Sequence, residues 1–223
     1  MKKILFILLS FYAIAAFGQE FKTTENGITF DVKVMSSRDL TVEIIRSKNK
    51  IKGSSIIIPD EVKYNSDIYT VVSIGEEAFK GVKATMIVLP KHLRNISNKA
   101  FCGCSKLSQI DFPSELENIG DEAFRGCPIG DLIFPSSIKH IGEKAFFSEN
   151  QTIFKSRANG ALFIPKTLVS LGEHAFNSFR NGYGIWSTSK RSIRCLPDFI
   201  NKENIKKYGI HEDSYDEYMI NKK

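Results

Sequence analysis

The sequence has few of the residues that build metal or catalytic centres. Its 223 residues include four cysteines, four histidines and one tryptophan. Four cysteines are too sparse for a disulfide framework, and Cys102-x-Cys104 lacks the spacing and the second pair of a zinc site. The histidines form no H-E-x-x-H pair or related ligand pattern. We therefore expect neither a metal ion nor another cofactor.

Signatures of catalysis are missing as well. No G-x-S-x-G nucleophile elbow and no phosphate-binding glycine loop occurs in the chain. Gly182-Tyr-Gly184 lacks the lysine and the strand–helix context of such a loop, and is interpreted as a turn. Any triad of serine, histidine and aspartate would be an arbitrary choice. The sequence predicts a protein that is not an enzyme.

Long apolar runs are absent except at the N-terminus. Two lysines precede an apolar run over 4–17, and Ala16 and Gly18 occupy the −3 and −1 positions of a small-residue cleavage site. The run is shorter than the roughly 20 residues of a membrane-spanning helix. It predicts a signal peptide over 1–18, cleaved after Gly18. The mature chain is expected outside the cytoplasm, as a secreted, periplasmic or cell-surface protein without a membrane span.

Acidic residues are scarce in one stretch near the C-terminal end. Between Gln151 and Cys195 the only acidic residue is Glu173, against seven lysines and arginines, and the same stretch holds Trp186. A basic and aromatic surface suits an acidic partner such as an anionic glycan. Alternatively, the aromatic side chains only cover the end of the fold and the basic ones are solvated.

What the chain does have is a repeat. The phrase I-G-x-x-A-F recurs with offsets of 22, 23, 22 and 30 residues, starting at Ile74, Ile96, Ile119, Ile141 and Leu171. A second phrase, an apolar residue followed by proline, keeps the same period from Leu89-Pro90 to Ile164-Pro165. A unit of this length is too small to bury its own apolar side. Stacked units supply the missing core, so the period predicts a solenoid.

Each coil is expected to carry two short strands. One ends at the proline, which cannot donate to a ladder, and the other precedes the Ile-Gly pair. Gly120 is expected to allow a tight turn there, and Phe124 to point inward. Cys104 and Cys127 share a repeat position, and are interpreted as small buried residues stacked between coils.

The full pattern, I-G-x-x-A-F-x-G-C-x-x-L-x-x-I-x-F-P-x-x-L, resembles the BspA-like class of bacterial leucine-rich repeats. The resemblance runs from Ile56 to about Phe176, with departures at Val82, Ser97 and Ser148. It implies a β-rich leucine-rich-repeat solenoid of about five coils of 22–23 residues. It also implies an extracytoplasmic, often surface-associated protein that adheres to host proteins or glycans without catalysis.

The segments around the repeat are expected to cap it. We divide the chain into the signal peptide (1–18), an N-terminal β-cap with the first half-repeat (19–70), the solenoid (71–180) and a C-terminal cap (181–223). Strands are predicted over 27–34 and 40–45, and one or two short helices after residue 200. The 30-residue step predicts a loop over 147–160, on a face where repeat proteins often bind partners.

Outward positions follow from the repeat alignment. Two residues before each proline the outward slot holds Val88, Asp111, Ile133 and Phe163, a candidate interaction stripe. The alternatives are that this face packs against a cap, or that β-propensity selects the side chains. On the other strand the outward residues are polar, and are interpreted as a solvated ladder: Arg94, Glu117 and Lys139, then Asn95, Asn118 and His140.

Two functional hypotheses remain at the level of sequence. The first is a non-catalytic binding protein that recognises a host protein or polysaccharide, possibly acidic, with no role for nucleic acid. The second is a structural spacer or assembly component of the bacterial envelope without a soluble ligand. For the first, the candidate binding surface comprises Phe163, Arg157, Arg180, Tyr183, Trp186, Lys190 and Arg191.

Overall fold

The computed structural model of the chain describes residues 17–47, 54–148, 162–176 and 193–210, together with residues 216 and 219. Within these ranges the chain forms short strands joined by turns, with a 3-10 helix over Ile205–Tyr208. Two strands recur in each coil, so the chain returns to the same two sides of the solenoid once per repeat.

One side of the solenoid is a nine-stranded sheet. Its strands are β1 (Glu20–Glu25), β2 (Ile28–Ser36), β3 (Thr41–Ser47), β5 (Glu61–Tyr64), β6 (Asp67–Ile74), β8 (Asn95–Ile96), β10 (Asn118–Ile119), β12 (His140–Ile141) and β14 (Ser170–Leu171). The pairs β1–β2, β2–β3 and β5–β6 are antiparallel, whereas β3, β6, β8, β10, β12 and β14 are parallel neighbours in that order. The strands predicted over 27–34 and 40–45 are β2 and β3, and β1 was not predicted.

The other side consists of two three-stranded parallel sheets. The first contains β4 (Ser55–Ile57), β7 (Met86–Val88) and β9 (Gln109–Ile110), and the second contains β11 (Leu132–Ile133), β13 (Leu162–Phe163) and β15 (Ile193–Cys195). No ladder pairing joins β9 to β11 among the described residues. The side that carries the apolar-proline phrase is therefore interrupted in the middle.

The core lies between these sheets and is built from one apolar set per coil. The short strands β4 and β6 to β14 each contribute a buried aliphatic side chain, and each coil adds the phenylalanine of its I-G-x-x-A-F phrase, at 3% exposure or less. The rings of Phe79, Phe101, Phe124, Phe146 and Phe176 stack in that order, with centroids 5.0–5.8 Å apart and planes within 14°. The predicted class, a β-rich leucine-rich-repeat solenoid, is confirmed.

The turn after each Ile-Gly pair differs from the expectation. The residue in the left-handed region is the fourth of the phrase and is never glycine; φ is 52–56° at Glu77, Lys99, Glu122, Lys144 and His174. Gly120 was expected to allow a tight turn, but it is not among the residues with positive φ. A Cβ on Gly120 would lie 2.6 Å from the backbone nitrogen of Asn98. Glycine stands there because the preceding coil passes too close for any side chain.

The last described coil is covered by the segment around the 3-10 helix. The N–H groups of His174 and Phe176 donate to the carbonyl oxygens of Lys207 and Tyr208. Ile205 and Ile210 are buried against the same core. The segment thus accepts hydrogen bonds from backbone N–H groups that in the other coils donate to the next coil.

Candidate functional site

The outward residues of the interrupted side form a largely apolar column. Ile57, Val88 and Ile133 are 51%, 42% and 55% exposed, Asp111 is exposed, and Phe163 is half-buried. The register aligns Ile57 with Val88 and Ile133 with Phe163 on neighbouring strands. We call Ile57, Val88, Ile133 and Phe163 the outward apolar column. Alternation in the sequence predicted three of its members, and Ile57 extends it by one coil.

The gap between β9 and β11 has a visible cause in the sequence. From Cys127 to Leu132 the chain is one residue shorter than from Cys104 to Ile110, and it contains Pro128, which has no N–H to donate. The N–H of Gly130 still reaches the carbonyl oxygen of Ser108 at 3.5 Å, beyond the usual hydrogen-bond length. The strands then run on without pairing.

A groove of about 420 Å³ opens at this gap. Its lining includes Met86 and Val88 from β7, and Asp111 and Asp131 flank the gap itself. Exposed apolar side chains and two carboxylates therefore meet within one depression, beside the outward apolar column.

Most of the binding surface that the sequence predicts falls outside the described residues. Phe163 is half-buried on β13. Six members fall outside the described residues, namely Arg157, Arg180, Tyr183, Trp186, Lys190 and Arg191. The predicted loop over 147–160 is described only at its first two residues.

The nine-stranded sheet presents a polar column instead. The Asn118 amide donates to Asn95 Oδ1 at 2.6 Å. Nδ1 of His140 lies 2.7 Å from the Ser170 hydroxyl. Ser73 donates to the Glu43 carboxylate at 2.8 Å. The ladder inferred from Asn95, Asn118 and His140 is thus present, and its bonds join neighbouring strands in pairs.

The charged column beside it departs from the expectation at one end. Lys139 Nζ lies 2.6 Å from Glu117 Oε2, as the repeat alignment predicts for neighbouring coils. Arg94 does not reach Glu117. It pairs instead with the Glu115 carboxylate at 3.3 Å, and His92 Nδ1 lies 2.7 Å from the same carboxylate. Glu115 lies two residues before Glu117, in the turn after Pro113. Because Arg94 pairs with Glu115, it does not take part in the charged column.

The polar column forms the floor of a shallow groove of about 730 Å³. This polar groove spans the strands from β3 to β14, and its polar side chains are those of Glu43, Ser73, Glu76, Asn95, Ser97, Asn98, Asn118, Asp121, His140 and Ser170. From the sequence, three of them, Asn95, Asn118 and His140, were interpreted as part of a solvated ladder. The signal that could have identified the groove is a polar residue before the buried isoleucine or leucine in every coil.

The groove wall is tied to the backbone of successive coils. Asn98 Oδ1 accepts the N–H of Asp121 at 2.8 Å, and Asp121 Oδ1 accepts the N–H of Glu143 at 2.7 Å. Each bond crosses from one coil to the next. The side chains that line the wall are therefore held by the same contacts that set the coil register.

Charge is distributed differently in the groove and outside it. Outside, the carboxylates of Glu115, Glu117 and Glu122 are paired, and hydrogen bonds from His92, Lys139 and Arg125 hold their pKa values below the ordinary one. In the groove, Glu43, Glu76 and Asp121 have no ion-pair partner among the described residues, and no lysine or arginine lines it. The groove therefore carries uncompensated negative charge.

The buried thiols serve packing. Sγ of Cys104 and Cys127 donates to the carbonyl oxygens of Phe79 and Phe101, each at 3.1 Å. Burial raises the pKa of the Cys127 thiol well above its ordinary value, and burial also raises that of Cys102. A raised pKa suppresses the reactive thiolate. Cys102, Cys104 and Cys127 are all free thiols.

The arrangement of polar groups supports binding better than bond cleavage. His140 and Ser170 lie within hydrogen-bond distance, but no carboxylate bonds to the histidine among the described residues. The same residues hold no cluster of three or more side chains suited to a metal ion. None of their helical segments has the length and hydrophobicity that a membrane span requires.

Comparison with known proteins supports the repeat assignment. A model of the BspA-type leucine-rich repeat region matches in six copies, over residues 49–152 and 72–181. A leucine-rich repeat protein from Bacteroides ovatus ATCC 8483 is similar in structure, with a TM-score of 0.62 and 29% identity over 80% of this chain. The chain spans 42% of that protein's length.

A second solved structure is covered almost completely. The leucine-rich repeat protein of T. pallidum has a TM-score of 0.51 and 26% identity, over 81% of this chain and 93% of its own length. No protein of curated function matches this chain.

Proposed function

Because this chain belongs to the BspA-type leucine-rich repeat family, we propose that it is a non-catalytic recognition protein that acts outside the bacterial cytoplasm. It binds a macromolecular partner, a host protein or a polysaccharide, and undergoes no chemical change in doing so. The signal peptide expected over 1–18 directs it there. The family's surface-associated or secreted character supports this location.

The observation that carries the proposal is the outward apolar column. Ile57, Val88 and Ile133 are each more than two-fifths exposed, at positions where a solvated sheet face would carry polar side chains. Isolated apolar residues on a surface are ordinary, but the aligned pairs Ile57–Val88 and Ile133–Phe163 form two apolar patches on either side of the exposed Asp111. Clustered apolar patches of this kind are typical of partner-binding faces.

The groove beside the column adds polar contacts to these apolar patches. Asp111 and Asp131 line it together with Met86 and Val88. An apolar centre with a polar margin is the usual composition of a protein interface. We propose that the basic and aromatic residues Arg157, Arg180, Tyr183, Trp186, Lys190 and Arg191 extend the surface toward the C-terminal end.

The test compares substitutions on the column with one away from it. The double substitution Val88→Ser/Ile133→Ser is expected to weaken binding to an immobilised panel of extracellular-matrix proteins and glycans by about tenfold or more, since two exposed aliphatic anchors are lost. Trp186→Ala and Arg180→Ala are expected to act in the same direction. Thermal melts of each variant check that the fold is intact.

Val169→Ser is the matched control, because Val169 is a β-branched residue that is 66% exposed beside the other sheet. The Val169→Ser variant should bind the panel as strongly as the unchanged protein does. Saturable binding that survives the double substitution would refute the column as the site. An empty panel combined with self-association, or recovery with another envelope protein, would favour the structural spacer instead.

A further inference from the structure

The polar groove offers a second surface whose chemistry differs from that of the outward apolar column. We infer that it is a binding site for a neutral polysaccharide. The inference rests on the proposed recognition role, but it concerns the nine-stranded sheet and not the interrupted side. Its basis is the set of hydrogen-bonding groups in the groove that no hydrogen bond among the described residues uses.

The floor of the groove keeps unused hydrogen-bonding groups of both kinds. Asn118 donates through its amide nitrogen to Asn95 Oδ1. Asn118 Oδ1 and the Asn95 amide nitrogen have no partner among the described residues. His140 likewise bonds Ser170 through Nδ1, which leaves Nε2 available. A free donor on Asn95 and a free acceptor on Asn118 thus lie on neighbouring coils, which are about 4.8 Å apart.

A polyhydroxylated ligand matches this arrangement. Each sugar unit has several hydroxyl groups within the distance that separates two coils, and each hydroxyl both donates and accepts. Carboxylates accept strong hydrogen bonds from hydroxyl groups, and Glu76 and Asp121 stand along the groove without a cationic partner. The wall is preorganised, because Asn98 and Asp121 are held by backbone N–H groups of the next coil.

The lining is unsuited to other classes of ligand. Without lysine or arginine it repels polyanions such as nucleic acids and sulfated glycans. Its isoleucines, Ile96, Ile119 and Ile141, are buried, and Met35 is half-buried, so an apolar peptide face finds little to contact. A lysine-rich peptide would satisfy the carboxylates but would leave the amide and imidazole floor without selective partners.

The experiment measures binding of the full chain to immobilised polymers by biolayer interferometry. The probes are three neutral polysaccharides (a mixed-linkage β-glucan, a galactomannan and an arabinoxylan), with heparin as the polyanion and poly-L-lysine as the polycation. We expect saturable binding to at least one neutral polysaccharide. The double substitution Asn95→Ala/Asn118→Ala is expected to weaken it by about tenfold, the effect of losing two or more hydrogen bonds.

Two further variants keep the test independent of folding. Glu76→Gln removes a charge from an exposed side chain with no hydrogen bond among the described residues, so it should lower affinity without changing the melting temperature. Glu61→Gln is the matched control, because Glu61 is also an exposed glutamate without a hydrogen bond among the described residues, and it does not line the groove. It should bind as the unchanged protein does.

Three results would overturn the inference: no binding to any neutral polysaccharide, binding unaffected by the groove variants, or groove-dependent binding of poly-L-lysine alone. These outcomes are separable from failure of the proposed function. The variant Val88→Ser/Ile133→Ser alters no residue of the polar groove. Polysaccharide binding that is lost in Asn95→Ala/Asn118→Ala should therefore persist in it, whereas binding through the outward apolar column should be weakened.

Discussion

Glycine serves two purposes in this solenoid, and they follow from different physics. Gly81, Gly103 and Gly126 have φ of 73–77°, a region that side chains disfavour. Gly120 and Gly142 are not in that region; they are glycines because the coil before them leaves no room for a Cβ. In the sequence the two kinds cannot be told apart, because each is a glycine at a fixed position of the repeat.

Substitution by alanine should separate the two roles. In Gly142→Ala the new Cβ would lie 2.5 Å from the backbone nitrogen of Asp121 and 2.6 Å from the carbonyl carbon of Gly120. Because backbone must then shift, we expect a loss of about 2–3 kcal/mol in the free energy of unfolding. Gly81→Ala meets no atom within 4 Å, and should cost only about 1 kcal/mol for its φ. Urea denaturation measures both, and equal losses would contradict the assignment.

At the scale of the strands, neighbouring coils are joined by polar rungs as well as by the backbone ladder. Glu117 and Lys139 pair across β10 and β12, with side chains 33% and 52% exposed. An exposed pair of this kind contributes at most about 1 kcal/mol. Its main effect is on register, because a shift of one residue would place Glu117 opposite Ile138 or His140 and would turn the buried side chains to the other face.

The rung has a defined pH dependence. The hydrogen bond from Lys139 lowers the folded-state pKa of Glu117 below its ordinary value. The rung therefore stabilises the fold above the unfolded-state pKa, and this contribution is lost as pH falls through the folded-state pKa. In urea denaturation, Glu117→Gln should be less stable than the unchanged protein at pH 7, and the difference should shrink as pH falls through the folded-state pKa of Glu117.

Glu61→Gln provides the control for this series. Glu61 is an exposed strand residue without an ion pair among the described residues. Its substitution should leave stability unchanged at pH 7. A Glu117→Gln difference that does not shrink toward acidic pH would show that the carboxylate contributes by something other than its charge.

At the scale of the whole molecule, the phenylalanine stack makes the coils depend on one another. Phe124 is fully buried between Phe101 and Phe146, with centroids 5.0 and 5.1 Å away, and it also meets Phe112 edge-on at 5.8 Å. In a solenoid each coil gains its stability mainly from its two neighbours. A gap in the middle of the stack therefore weakens two interfaces at once.

Phe124→Ala should lower the free energy of unfolding by about 3–5 kcal/mol, the usual cost of deleting a buried ring. Phe176 is equally buried, but among the described residues it stacks only on Phe146, at 5.8 Å. Phe176→Ala should cost less, because only one stacked interface is lost. Urea denaturation followed by circular dichroism compares the two. A larger loss for Phe176→Ala would mean that the end of the array, and not its centre, limits stability.

The repeat by itself determined the fold class, the two strands per coil and the outward positions Val88, Ile133 and Phe163. A period that recurs in two independent phrases leaves few other ways to bury the same apolar set, and alternation along a strand assigns each side chain to a face. The pairing of Lys139 with Glu117 followed from the same alignment. Residues Arg157, Arg180, Tyr183, Trp186, Lys190 and Arg191 stay a prediction, since they lie outside the described residues.

Only the tertiary structure decided what the coils form together. The polar groove exists because several strands place their outward residues side by side, and concavity is a property of the stack that no single repeat contains. The gap between β9 and β11 arises from one missing residue and Pro128, whose effect depends on the neighbouring coil. The distinction between Gly81 and Gly142 has the same origin, because the close approach that requires glycine at 142 comes from residues about twenty positions earlier in the chain.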